Sequence, residues 1–142
     1  MNTARTKKWS ALARLALCTG IAVTLNGQAA DSVPAVAGPI VVQNYYFALP
    51  GKSEEVFEWR LHASEVRAKL GLSRGRVLRR IAAPNGQDSA VPDVIWECDY
   101  PSQAAREKDI ALLSRSAEFD QVEKHMDKLL RKFDRALFER RD

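Results

Sequence analysis

Residues 93–109, "DVIWECDYPSQAAREKD", change from one backbone period to another within two residues. Val94, Ile95, Trp96 and Cys98 favour a strand, and Pro101-Ser102 stops it. An Ala/Arg/Glu-rich helix follows, with Ser102 placed to cap it. Alternation puts Ile95, Glu97 and Asp99 on one side of the strand and Trp96, Cys98 and Tyr100 on the other. Two carboxylates, an indole and a thiol on one short strand read as a site, or as an amphipathic strand with one polar face.

Upstream, "GRVLRRIAA" (75–83) is a strand with Val77, Arg79 and Ile81 on one face and Leu78 and Arg80 on the other. The loop "PNGQDSAVP" (84–92), with Asn85-Gly86 as its turn signal, joins it to 93–100 as a hairpin. A charge on this strand can therefore face Glu97 or Asp99, a cross-strand pair worth under ~1 kcal/mol. "IVVQNYYFAL" (40–49) is a third β-rich run. It shows Val41, Gln43, Tyr45, Phe47 and Leu49 on one face and Ile40, Val42, Asn44, Tyr46 and Ala48 on the other. After a "PGK" turn, Ser53 is placed to cap a helix with Glu54 and Glu55 in its first turn; Gly71 ends it after about Leu70. Val56, Trp59, Ala63, Val66 and Leu70 form its expected buried stripe, with His62 beside the polar edge.

Downstream, "SRSAEF" (114–119) breaks the helical pattern, and Ser116 can cap a second segment carrying Phe119, Val122, Met126 and Leu129 or Leu130. The end, "RKFDRALFER" (131–140), fits a helix through Phe133, Leu137 and Arg140, or a strand through Phe133, Arg135 and Leu137. The order is β-α-β-β-α with a possible last β, the ferredoxin-like split arrangement. We therefore expect an α+β fold with an antiparallel sheet and helices on one face. The other face needs a cover, and Tyr46, Trp96, Cys98 and Tyr100 are too apolar to leave in water as one patch. A dimer in which two sheets face each other supplies it.

The first thirty residues read as a secretory signal rather than as part of the fold. Arg5, Lys7, Lys8 and Arg14 precede an apolar run over 15–25, and small residues suited to cleavage at Ala29 or Ala30 follow. The run is about half the ~20 residues a membrane span needs, so no stable membrane insertion is expected after cleavage. Residues 31–39 read as a flexible leader, 40–142 as one domain, and the location as periplasmic or secreted. The full chain has 22 Lys+Arg against 18 Asp+Glu, a formal charge of +4. Those four basic residues all lie in the signal, which contains no acid, so the remainder is formally neutral. A nucleic-acid partner loses its electrostatic basis. Cys98 is the single cysteine left after cleavage, which excludes an intramolecular disulfide. His62 and His125 stand far apart, and no zinc-type spacing occurs; we expect no metal and no cofactor.

"YYFALPGKSEEVFEW" (45–59) resembles the opening of NIPSNAP-type domains: strand, Pro-Gly-Lys turn, helix. "DVIWECDYPSQAAREKDIALLSRSAEF" (93–119) is similar to the same family, through Tyr100, Ser102, Ala105, Arg106, Glu107, Glu118 and Phe119. The likeness covers most of 40–140. It implies a dimeric α+β barrel of the superfamily that holds the antibiotic-biosynthesis-type monooxygenases. It also implies a strand at the ambiguous end, and a ligand cavity between the helix layer and the sheet. It suggests that Trp96, Cys98 and Tyr100 line the barrel while Glu97 and Asp99 point toward the helices, where arginine would pair with them; the opposite facing would put the acids in the cavity.

Three functions are compatible with this reading. The first is an exported dimeric-barrel protein that binds a small apolar or aromatic molecule. Tyr46, Trp59, Trp96 and Tyr100 would be its walls, and Asn44, His62 or Arg79 its polar contacts. The second is a cofactor-independent monooxygenase or isomerase using the same cavity, with His62 or Asp99 as the proton-transfer group. The third is a structural or partner-binding protein with no small-molecule ligand.

Overall fold

The structure, a computed structural model, describes residues 36–83, 86 and 89–141. The signal expected over 1–30, the start of the leader (31–35) and Asn85 of the expected turn lie outside the described residues. The elements are β1 (Ile40–Ala48), α1 (Ser53–Lys69), β2 (Arg76–Arg79), β3 (Val94–Tyr100), α2 (Gln103–Leu113), α3 (Ala117–Leu129) and β4 (Leu130–Glu139). The strands form one antiparallel sheet in the order β2-β3-β1-β4, the ferredoxin-like topology. Residues 131–139 are strand, paired along nearly all of β1, with a register shift at Phe47/Ala48. That pairing resolves what periodicity left open: the edge of β1 opposite β3 needs a partner for its backbone groups.

Helix boundaries follow local chemistry. The Ser102 hydroxyl accepts the Ala105 N–H at 3.1 Å and Ser116 accepts the Phe119 N–H at 3.1 Å, so both expected caps form. Gly71 ends α1 at φ +75°. Ser53 is not a cap. It is the first helical residue, and its hydroxyl donates to Asp93 Oδ1 at 2.7 Å. β2 is shorter than its 75–83 pattern, because the Arg80 N–H bonds the Asp93 carbonyl at 2.9 Å and Ile81 then projects into solvent.

The largest departure concerns which face of the sheet the helices cover. Ile40, Val42, Asn44 and Tyr46 of β1 and Val94, Trp96, Cys98 and Tyr100 of β3 are buried beneath them. The aromatic face is thus packed within one chain, and it is not the patch that calls for a second sheet. Glu97 and Asp99 point the other way, onto the open face, against the facing suggested by the resemblance. Alternation states which side chains share a face; only tertiary packing states which face is inside.

The buried side of α1 also differs. Val56 and Ala63 are inside, but Trp59 is only partly covered and Leu70 is exposed; Arg60, Ser64 and Arg67 are buried instead.

One glycine is fixed by this packing. Gly75 enters β2 at φ +68°, and a Cβ there would lie 2.3 Å from Trp96 Nε1 and 2.6 Å from the Glu97 carbonyl. Gly75→Ala should therefore destabilise by about 3 kcal/mol, through left-handed backbone strain and overpacking against a main-chain oxygen. Urea titration followed by circular dichroism tests this. A loss below about 1 kcal/mol would contradict the close approach.

Candidate functional site

The side chains with chemistry converge on a row that crosses the helix-covered face: Val77 of β2, Trp96 of β3, Asn44 of β1 and Arg135 of β4. Trp96 lies at its centre, and its indole N–H donates to the Arg74 carbonyl at 2.8 Å. Above the ring, α1 places two guanidinium groups, Arg60 at 5.0 Å and Arg67 at 4.8 Å from the ring centroid. The ring quadrupole attracts both cations, the more so away from water.

Arg67 is fully engaged and 2% exposed. It donates to Asp109 Oδ2 at 2.9 Å, to the Tyr100 hydroxyl at 3.1 Å and to the Ser73 carbonyl at 2.6 Å. Burial pushes the Tyr100 hydroxyl well above the ordinary phenol range, with Arg67 opposing, so Tyr100 is a neutral donor or acceptor. Arg60 is 4% exposed and much less satisfied. Its Nη2 reaches Ser64 Oγ at 3.4 Å, and its Nε has no hydrogen-bond partner. Burial lowers its pKa from the usual guanidinium value; Tyr46 opposes that effect, and Arg67 adds to it. Arg106, the one buried residue of α2, is held down in the same way by burial and then by Arg135.

On the far side of Trp96, Arg135 Nε donates to Asn44 Oδ1 at 2.8 Å, and Asn44 Nδ2 donates to the Tyr46 hydroxyl at 3.3 Å. Glu123 of α3 adds a carboxyl. Burial, then Asp120 and Asp127, raise its pKa, while Arg135 and Arg60 draw it down. Asn44, Tyr46, Trp96 and Tyr100 are thus brought together as expected from their shared strand faces.

The other expected site residues lie elsewhere. Trp59 is at the α1–α3 edge, its ring stacked on His125 at 3.9 Å and met edge-on by an exposed His62 at 5.4 Å. Arg79 is exposed at the end of β2, paired with Glu54 at 2.6 Å and lying over Phe57. Asp99 is on the open face, 3.0 Å from Arg76 and 3.5 Å from Arg140. Glu97 beside it takes hydrogen bonds from Gln43 and Arg76, which hold its carboxyl below the usual range against the effect of burial. The expected cross-strand ion pair is therefore present, and Glu97 is a weak base.

Arg60, Arg67, Arg106 and Glu123 were not among the residues expected from sequence. Arg60 and Arg67 stand seven apart, on the same helical face as Val56 and Ala63, and that spacing is the signal for them.

Two clefts mark the surface. One of about 310 Å³ is lined by Ser73, Arg74, Gly75, Arg76, Glu97, Cys98 and Asp99. The other, about 370 Å³, lies by Ser53, Arg79 and Asp93. Neither is lined by Trp96, Arg60 or Arg67. Among the described residues, no group of three or more His, Cys, Asp or Glu side chains is arranged to hold a metal ion. Cys98 is buried and free.

No protein-family model and no curated protein matches the chain in sequence. Solved structures match its fold. A NIPSNAP family protein from Agrobacterium tumefaciens aligns at 15% identity and a TM-score of 0.55, over 75% of this chain and 90% of that one. A dimeric protein of unknown function and ferredoxin-like fold from Bacteroides fragilis aligns at 11% and 0.53, over 72% and 97%. A protein from Bacteroides thetaiotaomicron assigned as an antibiotic biosynthesis monooxygenase aligns at 15% and 0.50, over 74% and 90%. At these identities the shared property is the fold: a ferredoxin-like α+β unit of the kind that these proteins use.

Proposed function

We propose that the chain works as a homodimer that binds a small aromatic molecule between its sheet and its helices, after export to the periplasm or beyond the cell. The observation that carries this reading is the interior row itself. Asn44, Tyr46, Trp96 and Tyr100 meet under guanidinium groups, where a purely structural layer would place aliphatic side chains. Access beneath α2 is the easiest route. That helix buries only Arg106, so its opening exposes little apolar surface.

The dimer reading rests on the open face. Leu78 is 49% exposed and Phe138 46% exposed, with Val41, Tyr45 and Ile95 partly covered between them. One of the fold relatives is described as dimeric. The export reading rests on the basic and apolar pattern of the first thirty residues.

The second reading, a cofactor-independent monooxygenase or isomerase, is favoured by Glu123, a half-buried carboxyl whose raised pKa suits proton transfer beside Arg60 and Arg135. His62 and Asp99 would serve a ligand at the α1–α3 edge or on the open face, because neither faces Trp96.

Native mass spectrometry tests the proposal. The purified protein should appear as a dimer, with a reproducible added mass of a few hundred daltons or less. Leu78→Glu combined with Phe138→Glu should give a folded monomer, because it places like charges on both edge strands of the open face, β2 and β4. A monomeric wild-type chain would reject the paired sheets. A bare dimer whose tryptophan emission is unchanged by any aromatic solute would favour the structural, ligand-free reading.

A further inference from the structure

We infer that the ligand is an aromatic carboxylate whose anionic group pairs with the buried guanidinium of Arg60; this rests on the binding reading above. The two arginines over Trp96 are alike in burial and opposite in satisfaction. Arg67 has a carboxylate, a phenol and a carbonyl. Arg60 has a 3.4 Å contact with Ser64, an interaction with Tyr46, the face of the Trp96 ring and an Nε with no partner. Among the described residues no carboxylate forms an ion pair with Arg60, and the same holds for Arg106, which is 7% exposed. A buried cation without a counter-charge is among the least favourable arrangements in a protein interior.

The surroundings compensate only in part: Tyr46 and Tyr100 stand by Arg60, and Glu107 by Arg106. Three buried guanidinium groups, from Arg60, Arg67 and Arg106, border this layer, and the exposed Arg135 lies at its edge. Against them stand Asp109, committed to Arg67, and Glu123, whose charged form burial disfavours. The layer is therefore short of negative charge. A carboxylate fits the deficit: it offers two oxygens to a planar fork of donors. Tyr46 and Tyr100 interact with Arg60 and add hydroxyls, and Trp96 offers an aromatic surface. A phenyl ring bearing a carboxylate is the smallest molecule that uses all three features.

The test uses the purified protein with benzoate, its neutral analogue benzamide, and sodium chloride at matched ionic strength. Binding is read by thermal shift and by tryptophan emission. Benzoate should raise the unfolding temperature at about 10 mM. It should bind about tenfold more tightly than benzamide, the margin expected for a charge-assisted hydrogen-bonded pair. Arg60→Met should abolish that preference. Arg60→Lys, which keeps the charge and loses the fork, should retain part of it and serves if the methionine variant does not fold. Equal binding of benzoate and benzamide would overturn the carboxylate assignment and leave the binding reading standing. Benzoate binding that is undiminished in the Arg60 variants would overturn the pairing. No response to either aromatic would overturn both.

Discussion

Trp96→Ala should destabilise the protein by about 3–5 kcal/mol, the range for removing a buried indole, and so remove much of the stability of a domain of this size. Three losses act together. The ring leaves a cavity at the centre of the sheet, because Trp96 pairs with Val77 on one side and Asn44 on the other. The Arg74 carbonyl loses the indole donor at 2.8 Å. Arg60 and Arg67, which lie 5.0 and 4.8 Å from the ring centroid, are left as two like charges without the π surface that attracts them. Trp96→Phe separates these contributions. It keeps a ring and most of the volume, and loses the hydrogen bond, so it should cost about 1–2 kcal/mol. Urea denaturation followed by far-ultraviolet circular dichroism measures both, since the substitution changes the tryptophan fluorescence itself. If Trp96→Ala and Trp96→Phe were equally mild, under about 1 kcal/mol, the ring would not be the keystone that its position implies. If Phe were as damaging as Ala, the hydrogen bond to Arg74 would outweigh the packing. Combining Trp96→Leu with Arg67→Met in a double-mutant cycle then isolates the ring–cation coupling from the three polar contacts that Arg67 makes elsewhere.

The element order was legible in the sequence because it depends on local signals. Ser102 and Ser116 mark helix starts by hydroxyl chemistry, and Gly71 marks a helix end by its left-handed backbone. The facing of β3 was not legible. Period-two alternation separates Trp96, Cys98 and Tyr100 from Glu97 and Asp99, and that separation is correct, but both faces carry apolar and polar atoms. The helices decide between them through α1, whose inner face carries Arg60, Ser64 and Arg67. A hydrophobic-stripe reading assigns such residues to water, so it moves the stripe toward Trp59 and Leu70. The same error hides the candidate site, because the buried arginines are its chemistry. A long charged residue at core spacing on a helix, facing an aromatic strand, is better treated as a possible partner for that ring than as a surface position. Ser53 shows the converse limit: its residue type suits a cap, but a buried carboxylate 40 positions away claims its hydroxyl.

That carboxylate, Asp93, should set the acid limit of the fold. It is buried at the start of β3 and accepts three hydrogen bonds. These come from the Ala48 N–H at 2.8 Å, the Ser53 hydroxyl at 2.7 Å and Arg80 Nη2 at 2.7 Å. Its own N–H donates to the Tyr46 carbonyl at 2.9 Å. One side chain therefore ties the end of β1, the start of α1 and the segment after β2 to β3. Burial alone would raise its pKa; the bonds from Ser53, Arg80 and Ala48 outweigh burial and leave it below the ordinary carboxylate value. The sign of the pH dependence follows. A group that binds its proton more weakly when folded than when unfolded stabilises the fold above its unfolded pKa of about 3.9. That contribution declines as pH falls through this value toward the lower folded pKa, and it is gone below both. Asp93→Asn keeps the shape, removes the charge paired with Arg80, and should cost about 2–4 kcal/mol near neutral pH. The gap between wild type and variant should shrink steadily below about pH 4, because the protonated aspartic acid then resembles the amide. Glu97 and Glu55 also have lowered pKa values and contribute their own acid sensitivity. Both remain in each protein, so the difference between the two stability curves isolates Asp93. Denaturation midpoints from pH 7 to pH 2 measure that difference. A gap that stays constant across the range would show that the Asp93 charge contributes nothing, and that its oxygens act only as hydrogen-bond acceptors.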